Sequence, residues 1–347
     1  MKKIAIVGAG FFGVGAALIL SRKFKVDIYE KENNIFKGAS SSNQLRFHLG
    51  YHYPRSIKTL LEVQNSNKDF LKFYGQNIFG NTNNYYGIAK KKTKTSYNKY
   101  INFLKRNKLP FKKVFLDELQ NVNGSISSAE ENINIFKIKK IIKKKIKKSK
   151  NINLKLKKKF DRNDLKKYDK VIIAAYENNN LILKNLGIKV KKKYKFELVE
   201  KTVVKLPKTF NNKSYMILDG QFLCLDPYVG TKYHLLSSNK FSKIEIKKSY
   251  FPKFKSYKSN LVHKGLIRDK KYSNFLKIIK HGKNFFKFSD KVKFIGSFYL
   301  IRAIELNKEN TDERLNRIDF VNNKIITLFS GKWNTSITTA KELLKKI

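Results

Sequence analysis

A glycine-rich turn near the start of the chain is the feature that most limits the folds open to this sequence. The run GAGFFG places Gly8, Gly10 and Gly13 after the apolar segment 4–7 and at the start of a helix-like segment rich in small residues. A strand-like segment, KVDIYEK, follows, and its Glu30 lies 22 residues after Gly8. Strand, glycine turn, helix, strand and acid in this order predict a βαβ unit.

Each part of this motif has a physical task in binding a dinucleotide. Gly8 permits the tight turn, Gly10 lets the backbone approach a pyrophosphate, and Gly13 lets helix and strand pack closely. The phosphates then meet the helix N-terminus, and Glu30 can accept hydrogen bonds from a ribose. An unrelated α/β protein can also contain a glycine-rich turn, but the neighbouring strand, helix and acid favour dinucleotide binding.

The compartment is predicted from the N-terminal segment and from cysteine usage. The uncharged run 4–21 resembles a signal peptide or a short membrane span, but its regularly spaced glycines favour the nucleotide-binding unit. The single cysteine, Cys224, excludes an intrachain disulfide and a cysteine-only metal cluster. The five histidines show no metal-ligand spacing, so we predict no metal site and expect a cytoplasmic protein.

The formal net charge is +50, from 76 Lys+Arg against 26 Asp+Glu. Such a charge is typical of proteins that bind nucleic acid or anionic membranes. The excess is mostly lysine and is spread along the whole chain, which favours a general compositional drift over a dedicated nucleic-acid site. A positive surface still predicts salt-dependent contact with polyanions, including peripheral membrane association, so a polyanion- or membrane-surface-binding protein stays open as an alternative.

The remaining segments predict an α/β fold, α+β overall, in two domains. The spacing of apolar residues predicts helices at 57–74 and 96–110. The lysine-rich segment 135–160 predicts a helix followed by a strand. Short alternating runs between about 189 and 289 predict antiparallel strands. We therefore expect a Rossmann-like nucleotide-binding domain and a second, mostly antiparallel β domain that binds substrate. The nucleotide-binding domain is predicted to comprise residues 1–80, 125–187 and 291–347. The substrate-binding domain is predicted to comprise residues 81–124 and 188–290.

Two further segments carry candidate binding residues. The stretch ASSSNQLRFHLGYHYPRS, 39–56, gathers hydroxyl, amide, arginine and histidine side chains without a helix or strand period. Near the C-terminus, Gly331 and Lys332 separate a strand from a helix that is expected to be capped near Asn334 or Thr335. This second helix N-terminus, with a lysine beside it, predicts contact with an electron-rich group.

Together these segments resemble the D-amino-acid-oxidase superfamily of FAD-dependent oxidoreductases, which includes glycine and sarcosine oxidases and L-2-hydroxyglutarate dehydrogenase. GAGFFG…IYEK, KVIIAAY and FSGKWNTSITTA are similar to its flavin-domain segments, and SSSNQLRFHLGYHYP resembles a segment of the hydroxyglutarate dehydrogenases. RFHLGYHYPRS and ILDGQFLCLDPY also resemble members associated with bacterial surface-polysaccharide biosynthesis. The chain departs from the family pattern in AAY, where many members have an ATG-like end, and in TDERL after Arg302.

The resemblance implies FAD as the cofactor and a small, possibly anionic molecule as the substrate. The residues implied to contact FAD are Gly8, Gly10, Gly13, Glu30, Ser41, Ser42, Asn43, Gln44, Ala174, Gly331 and Lys332. Those implied to contact substrate are Arg46, His48, Tyr53 and Arg302.

The implied reaction is hydride transfer from a C–H next to an amine or hydroxyl of an amino acid or 2-hydroxy acid to flavin N5. We assign His48 as base or hydrogen-bond partner, Arg302 as a carboxylate clamp, and Lys332 as the cation that stabilises negative charge on the flavin. His48 and Arg302 could also be purely structural. The alternative enzyme is an FAD-dependent sugar or nucleotide-sugar modifying enzyme of surface-polysaccharide biosynthesis, and the sequence does not identify the electron acceptor.

Overall fold

The computed structural model describes residues 1–220, 223–288, 291–308 and 310–347. Gln221 and Phe222 of the ILDGQFLCLDPY segment, and residues 289–290 at the predicted domain boundary, lie outside this part of the chain. The strands are β1 (Lys3–Val7), β2 (Lys25–Tyr29), β3 (Arg46–Phe47), β4 (Asn83–Ala89), β5 (Phe111–Val114), β6 (Val122–Ser128), β7 (Glu131–Asn132), β8 (Ile152–Lys155), β9 (Lys170–Ile173), β10 (Tyr194–Lys205), β11 (Lys213–Leu218), β12 (Leu223–Pro227), β13 (His234–Ser238), β14 (Lys243–Ser249), β15 (Lys293–Glu305), β16 (Arg317–Phe320) and β17 (Ile325–Phe329).

The α-helices are α1 (Phe11–Leu20), α2 (Ile57–Tyr74), α3 (Tyr97–Arg106), α4 (Ile135–Lys148), α5 (Asn179–Asn185), α6 (Phe275–Gly282) and α7 (Ser336–Lys346). The helices predicted at 57–74 and 96–110 are confirmed as α2 and α3. The lysine-rich segment forms α4 followed by β8, as predicted, because Ile138, Ile142 and Ile146 form one buried stripe while its lysines stay on the outer faces. In the part of the chain that the structure describes, no helix is both long and apolar enough to cross a membrane.

The first sheet brings the ends of several parallel strands to one edge. Its order is β16-β17-β9-β1-β2-β8, and β16 runs antiparallel to β17 while the other pairs are parallel. Val7 at the end of β1 lies opposite Tyr29 of β2 and Ile173 of β9. The residues that follow these strands, Gly8, Glu30 and Ala174, are therefore neighbours at the carboxyl edge, where α/β sheets bind their ligands.

The second sheet is mostly antiparallel and lies beside the first. Its order is β14-β10-β13-β12-β11-β4-β6-β5, and β15 pairs along nearly the whole of β10. The pairing of β11 with β4 is parallel. The predicted fold class, an α/β nucleotide-binding region with a mostly antiparallel second sheet, is confirmed.

The strand memberships differ from the predicted domain boundaries at two places. β15 lies in residues 291–347, which were assigned to the nucleotide-binding domain, yet it is hydrogen-bonded to β10 of the second sheet. β6 lies mostly in residues 125–187, with the same assignment, and pairs with β4 and β5. An alternating apolar pattern shows that a segment is a strand but does not show which sheet it joins.

Candidate active site

The glycines after β1 form a crowded turn that only glycine can occupy without strain. Gly8 has φ +106°, and a Cβ there would lie 2.7 Å from the backbone oxygen of Ala174. A Cβ on Gly13 would lie 1.9 Å from the Gly8 oxygen, so the glycine keeps α1 close to the end of β1. Gly10 is the N-cap of α1, and its helix start has no side-chain cap. These positions agree with the spatial roles predicted for each glycine.

Glu30 stands at the end of β2 and closes this turn. One carboxylate oxygen accepts a hydrogen bond from the Ala9 amide at 2.8 Å, and the other accepts one from the Glu32 amide at 2.9 Å. Both contacts fix the carboxylate beside the glycine turn. The side chain lines the same cavity as Gly8 and Gly10, which is the position predicted for a ribose contact.

The polar loop after β2 folds back over the start of α1. The Ser40 hydroxyl accepts a hydrogen bond from the Phe11 amide at 3.1 Å. Asn43 holds the loop by donating to the Ala39 oxygen at 3.0 Å and accepting from the Leu45 amide at 2.7 Å. Gln44 reaches across to Asp226 on β12, with 2.9 Å between amide nitrogen and carboxylate oxygen. The loop is thus ordered by its own side chains and by the second sheet.

A cavity of about 580 Å³ runs from the glycine turn to the second sheet. This volume is in the usual range for cofactor and ligand sites. The predicted residues that line it are Gly8, Gly10, Glu30, Asn43, Gln44, Arg46, His48, Ala174, Arg302, Gly331 and Lys332.

Four predicted residues do not reach the cavity wall. Gly13 lies behind Gly8, as its packing role requires. Ser41 and Ser42 direct their hydroxyls to the backbone oxygens of Phe36 and Gly38 within their own loop. Tyr53 is buried behind Lys332, whose ammonium lies 4.8 Å from the centre of its ring. Direct contacts of the two serines with FAD and of Tyr53 with substrate stay predictions.

Arg46 is placed at the cavity but is engaged by acidic partners. Its side chain is fully buried, and a terminal nitrogen lies 2.8 Å from Asp226 and 2.6 Å from the Ser214 hydroxyl. Glu130 lies 3.9 Å from the other terminal nitrogen. Arg46 therefore links β3 to the second sheet, while its other terminal nitrogen is buried without a hydrogen-bond partner among the described residues. Its contact with substrate stays a prediction.

His48 is held neutral at the wall of the cavity. Burial, with the nearby Lys332 ammonium, lowers its pKa well below 6.5. Its Nδ1 is buried, lies 3.9 Å from the Glu130 carboxylate and has no hydrogen-bond partner among the described residues. Asn67 and Asn334 both donate to its backbone oxygen, which fixes the segment that carries the ring. The imidazole is therefore a fixed, unprotonated acceptor at neutral pH.

Lys332 lies between the last strand of the first sheet and α7. Burial, together with Arg314, lowers the pKa of its ammonium to about 8, so the cation is retained at neutral pH. Its neighbour Gly331 is tightly enclosed, because a Cβ there would lie 2.1 Å from the backbone oxygen of Arg314. Asn316 accepts the Gly331 amide hydrogen at 2.8 Å.

Arg302 enters the cavity from β15 and has a donor that is still available. Its terminal nitrogen donates to Glu197 on β10, while its Nε is buried and unpaired within the described part of the chain. Burial raises the pKa of Glu197, but the cations Arg302 and Lys243 outweigh burial and lower it to about 2. One carboxylate is thus shared by several cations, which leaves this wall positive.

Sequence reasoning missed two groups at the cavity. Lys201 on β10 lines the wall beside Cys224, although a lysine in an alternating strand is usually taken as solvent-facing. His263, from the segment between β14 and α6, lies 3.0 Å from the Glu177 carboxylate, and both residues line the cavity. Lys201 shares a strand face with Val199 and Val203, and this apolar company is the signal that could have indicated its inward position.

The comparisons with known proteins show which family this chain resembles. Residues 3–116 match the family model DAO, described as FAD dependent oxidoreductase. The match includes the glycine turn, Glu30 and the polar loop. The match confirms the resemblance to the D-amino-acid-oxidase superfamily. It also confirms, at the level of the family, the predicted classes of flavoprotein and oxidoreductase. The nearest subtype within the superfamily stays a prediction.

The curated relatives are similar over less than a third of the chain. The FAD-dependent monooxygenase FPY4 of Fusarium mangiferae is 30% identical over 98 residues, 28% of this chain and 27% of that protein. The FAD-dependent monooxygenase kojA of Aspergillus flavus is 40% identical over 58 residues, 16% of this chain and 14% of that protein. The chain thus matches about a quarter or less of these relatives.

Solved structures are similar over the whole fold. Glycine oxidase from Geobacillus kaustophilus has a TM-score of 0.69 at 13% identity, covering 100% of this chain and 95% of that one. L-amino acid deaminase from Proteus vulgaris has a TM-score of 0.66 at 12% identity, with 100% and 93% covered. At these identities the likeness concerns the fold, including the strands after residue 116, which the family model does not cover.

The residues present fit FAD, the cofactor that the comparisons support. The glycine turn leaves room for backbone contact with a pyrophosphate, and the start of α1, where Gly10 has no capping side chain, supplies amide groups. Glu30 is fixed beside it for a ribose. At the far end, the buried Nδ1 of His48 and the Nε of Arg302 face the cavity without partners among the described residues.

Proposed function

We propose that this chain uses FAD to oxidise a small anionic molecule at a carbon that bears an amine or a hydroxyl group. The observation that supports this most directly is the composition of one cavity. It joins the nucleotide-binding glycine turn to a wall with two cations, Arg302 and Lys332, and one neutral imidazole, His48. Such a wall suits a carboxylate next to an ionisable hydroxyl or ammonium group.

The proposed reaction removes two electrons from the substrate. Its C–H bond breaks, a C=O or C=N bond forms, and the hydroxyl or ammonium proton leaves. When bound, FAD supplies the two-electron acceptor, which takes the hydrogen with its electron pair. Oxygen or another electron carrier would accept the two electrons in the end.

The chain's own groups have distinct tasks in this proposal. Arg302 holds the substrate carboxylate through its free Nε and its remaining terminal nitrogen, which is a charge-assisted contact. His48 accepts the substrate's proton or hydrogen bond, because its lowered pKa keeps it neutral. Lys332 lies where a cation can stabilise negative charge that develops on the reduced cofactor.

A first experiment tests the cofactor and the reaction together. The purified protein is expected to show the two absorption bands of an oxidised flavin, to release FAD on heating, and to be bleached anaerobically by a member of a panel of amino acids, 2-hydroxy acids and nucleotide sugars. Protein that is colourless and does not take up added FAD would contradict the proposal. Bleaching only by a nucleotide sugar would instead support the surface-polysaccharide alternative.

A variant tests the carboxylate clamp. In Arg302→Leu the KM of the reducing substrate should rise by about tenfold or more, because a charge-assisted hydrogen bond is lost. Arg106→Leu, at the end of α3 and outside the cavity, removes the same charge and should leave KM unchanged. An unchanged KM in Arg302→Leu would make that residue a structural partner of Glu197.

The nucleotide-sugar alternative has one feature in its favour. Lys31, Lys37, Lys158 and Lys159 also line the cavity and would suit phosphates. The pyrophosphate of FAD needs the same charges, so this feature does not favour a sugar substrate over an acid. Contact of the +50 chain with anionic membranes or other polyanions stays a separate proposal, tested by salt-dependent binding to anionic vesicles.

A further inference from the structure

A buried lysine on the second sheet is not used by the reaction described above. Lys201 lies on β10, is only 8% exposed, and lines the cavity. Its ammonium donates to the Ser237 hydroxyl at 3.1 Å, and no carboxylate lies within ion-pair distance among the described residues. Burying a charge without an ionic partner is costly, so its place at a cavity wall needs an explanation.

The surroundings of Lys201 leave its charge unbalanced. It stands in a cross-sheet row in which Ser237 pairs with Cys224, and Cys224 pairs with Met216. Burial raises the pKa of the Cys224 thiol, which is therefore uncharged at neutral pH. The row offers one hydroxyl to the ammonium but no negative charge.

The acids nearest to this row already have cationic partners. Asp226 binds the buried Arg46 at 2.8 Å and accepts further hydrogen bonds from Ser214 and Gln44. Glu197 on the same strand as Lys201 binds Arg302 and lies 3.3 Å from Lys243. Neither carboxylate is left to neutralise Lys201. Burial lowers its pKa to about 8, which still leaves the ammonium protonated at neutral pH.

Lys201 and Arg302 are separate cations on one face of the sheet. On the paired strands β10 and β15, Lys201 lies opposite Phe298, and Arg302 lies opposite Glu197. The even spacing puts Arg302 and Lys201 on the same face, about 14 Å apart along the strands before their side chains extend. Leu300 lies between the two rungs and also lines the cavity. The wall thus offers a cation, an apolar surface and a second cation.

We propose that Lys201 and Ser237 form a second anion subsite, so that the substrate carries another acidic group, a carboxylate or a phosphate, besides the carboxylate held by Arg302. This inference rests on the proposed function and narrows its substrate class. The apolar side chain between the two cations suits a short carbon chain that joins the two acidic groups. Lys201 would then select substrates by length and charge and would not take part in the oxidation itself.

Calorimetric titration of the FAD-loaded protein tests this with matched ligands. Succinate and butyrate have the same number of carbons, but succinate has a carboxylate where butyrate has a methyl group, and 3-phosphonopropionate presents a phosphonate there. We expect succinate or 3-phosphonopropionate to bind about tenfold or more tightly than butyrate, as a charge-assisted contact predicts. The tighter of the two identifies the second acidic group as carboxylate or phosphate.

Lys201→Met should lower the affinity for the preferred ligand to within about twofold of the affinity for butyrate. The affinity for butyrate itself should not change. Lys201→Arg, which keeps the charge, should retain part of the preference if Lys201→Met folds poorly. Lys205→Met removes an exposed lysine from the end of the same strand and should leave the affinities for all three ligands unchanged. Equal binding of all three ligands by the unaltered protein, no binding of any, or an unchanged preference in Lys201→Met would overturn the inference. Flavin content and substrate bleaching are measured separately, so failure of the proposed function is recognised on its own.

Discussion

At the nucleotide end of the cavity, Gly8 and Glu30 are 22 residues apart in sequence, whereas at the substrate end Arg46 and Asp226 are 180 residues apart. The first end is made mainly of backbone: Gly8 with a positive φ, the start of α1, and amides that the Glu30 carboxylate holds in place. The second end is made of buried charged side chains from different strands. The difference indicates that cofactor binding depends on local shape, and substrate binding on long-range charge balance.

The largest expected effect concerns that charge balance. Asp226→Ala leaves the Arg46 guanidinium buried with Glu130 as its remaining acid, at 3.9 Å. Removing one partner of a buried pair costs about 3–5 kcal/mol, so the free energy of unfolding should fall by that amount in denaturant titration. Asp69→Ala removes a half-exposed partner of Lys341 and should cost under about 1 kcal/mol. Similar losses in both variants would show that the buried pair of Arg46 and Asp226 adds no special stability.

His48→Asn addresses the substrate end directly. We expect the rate of flavin reduction at neutral pH to fall about 100-fold, because a positioned proton acceptor is lost. In the unaltered protein this rate should fall on acidification only well below pH 6.5, since burial lowers the pKa of His48 and protonation removes the acceptor. The variant should lack that acidic decline.

The matched control is His234→Asn. His234 is also buried with a lowered pKa, but it binds the Phe210 oxygen and lies outside the cavity. Its rate profile should match that of the unaltered protein. If His48→Asn gives the same profile too, His48 serves only to hold its loop.

Gly10→Val tests the nucleotide end. A Cβ at this position would lie 2.9 Å from the Ser40 hydroxyl and would stand where a pyrophosphate approaches the backbone. Overpacking of about 1–3 kcal/mol corresponds to roughly 5- to 150-fold weaker FAD binding, measured by fluorescence titration of the apoprotein. In Gly15→Ala, in the same helix, the new methyl group would lie 3.3 Å from a methyl group of Ile337 and at ordinary contact distance, 3.5 Å, from the Ser336 oxygen, so this variant should retain FAD. Stoichiometric FAD in Gly10→Val would overturn the nucleotide assignment.

The same contrast explains what could be predicted from the sequence. The βαβ unit, α2, α3 and α4 follow from local periods and turn residues, which are visible in a single window of sequence. The ion pair of Arg46 with Asp226 was not predicted, because no local pattern shows that Asp226 will reach it. β15 was assigned to the wrong sheet for the same reason, since its partner β10 is about a hundred residues earlier. Lys201 was missed because lysine side chains are rarely buried, so a lysine on a predicted strand is normally assigned to the solvent-exposed face.

Lys332→Met has the smallest expected effect and connects the two ends. Lys332 lies at the end of the first sheet, beside His48 of the substrate wall, so its charge can act on both. Removing a cation that stabilises the reduced flavin should lower the two-electron potential by about 30 mV, equivalent to about 1.4 kcal/mol, while FAD stays bound. Spectroelectrochemical titration measures the shift.

The same variant should raise the pKa of His48, because the nearby ammonium helps to keep it low. The acidic decline of the reduction rate should therefore begin at a higher pH than in the unaltered protein. Lys345→Met, at the exposed end of α7, removes an equal charge far from the cavity and should alter neither property. A shifted pH profile with an unchanged potential would assign Lys332 to the substrate wall alone, and the flavin would then need another cation to stabilise its reduced form.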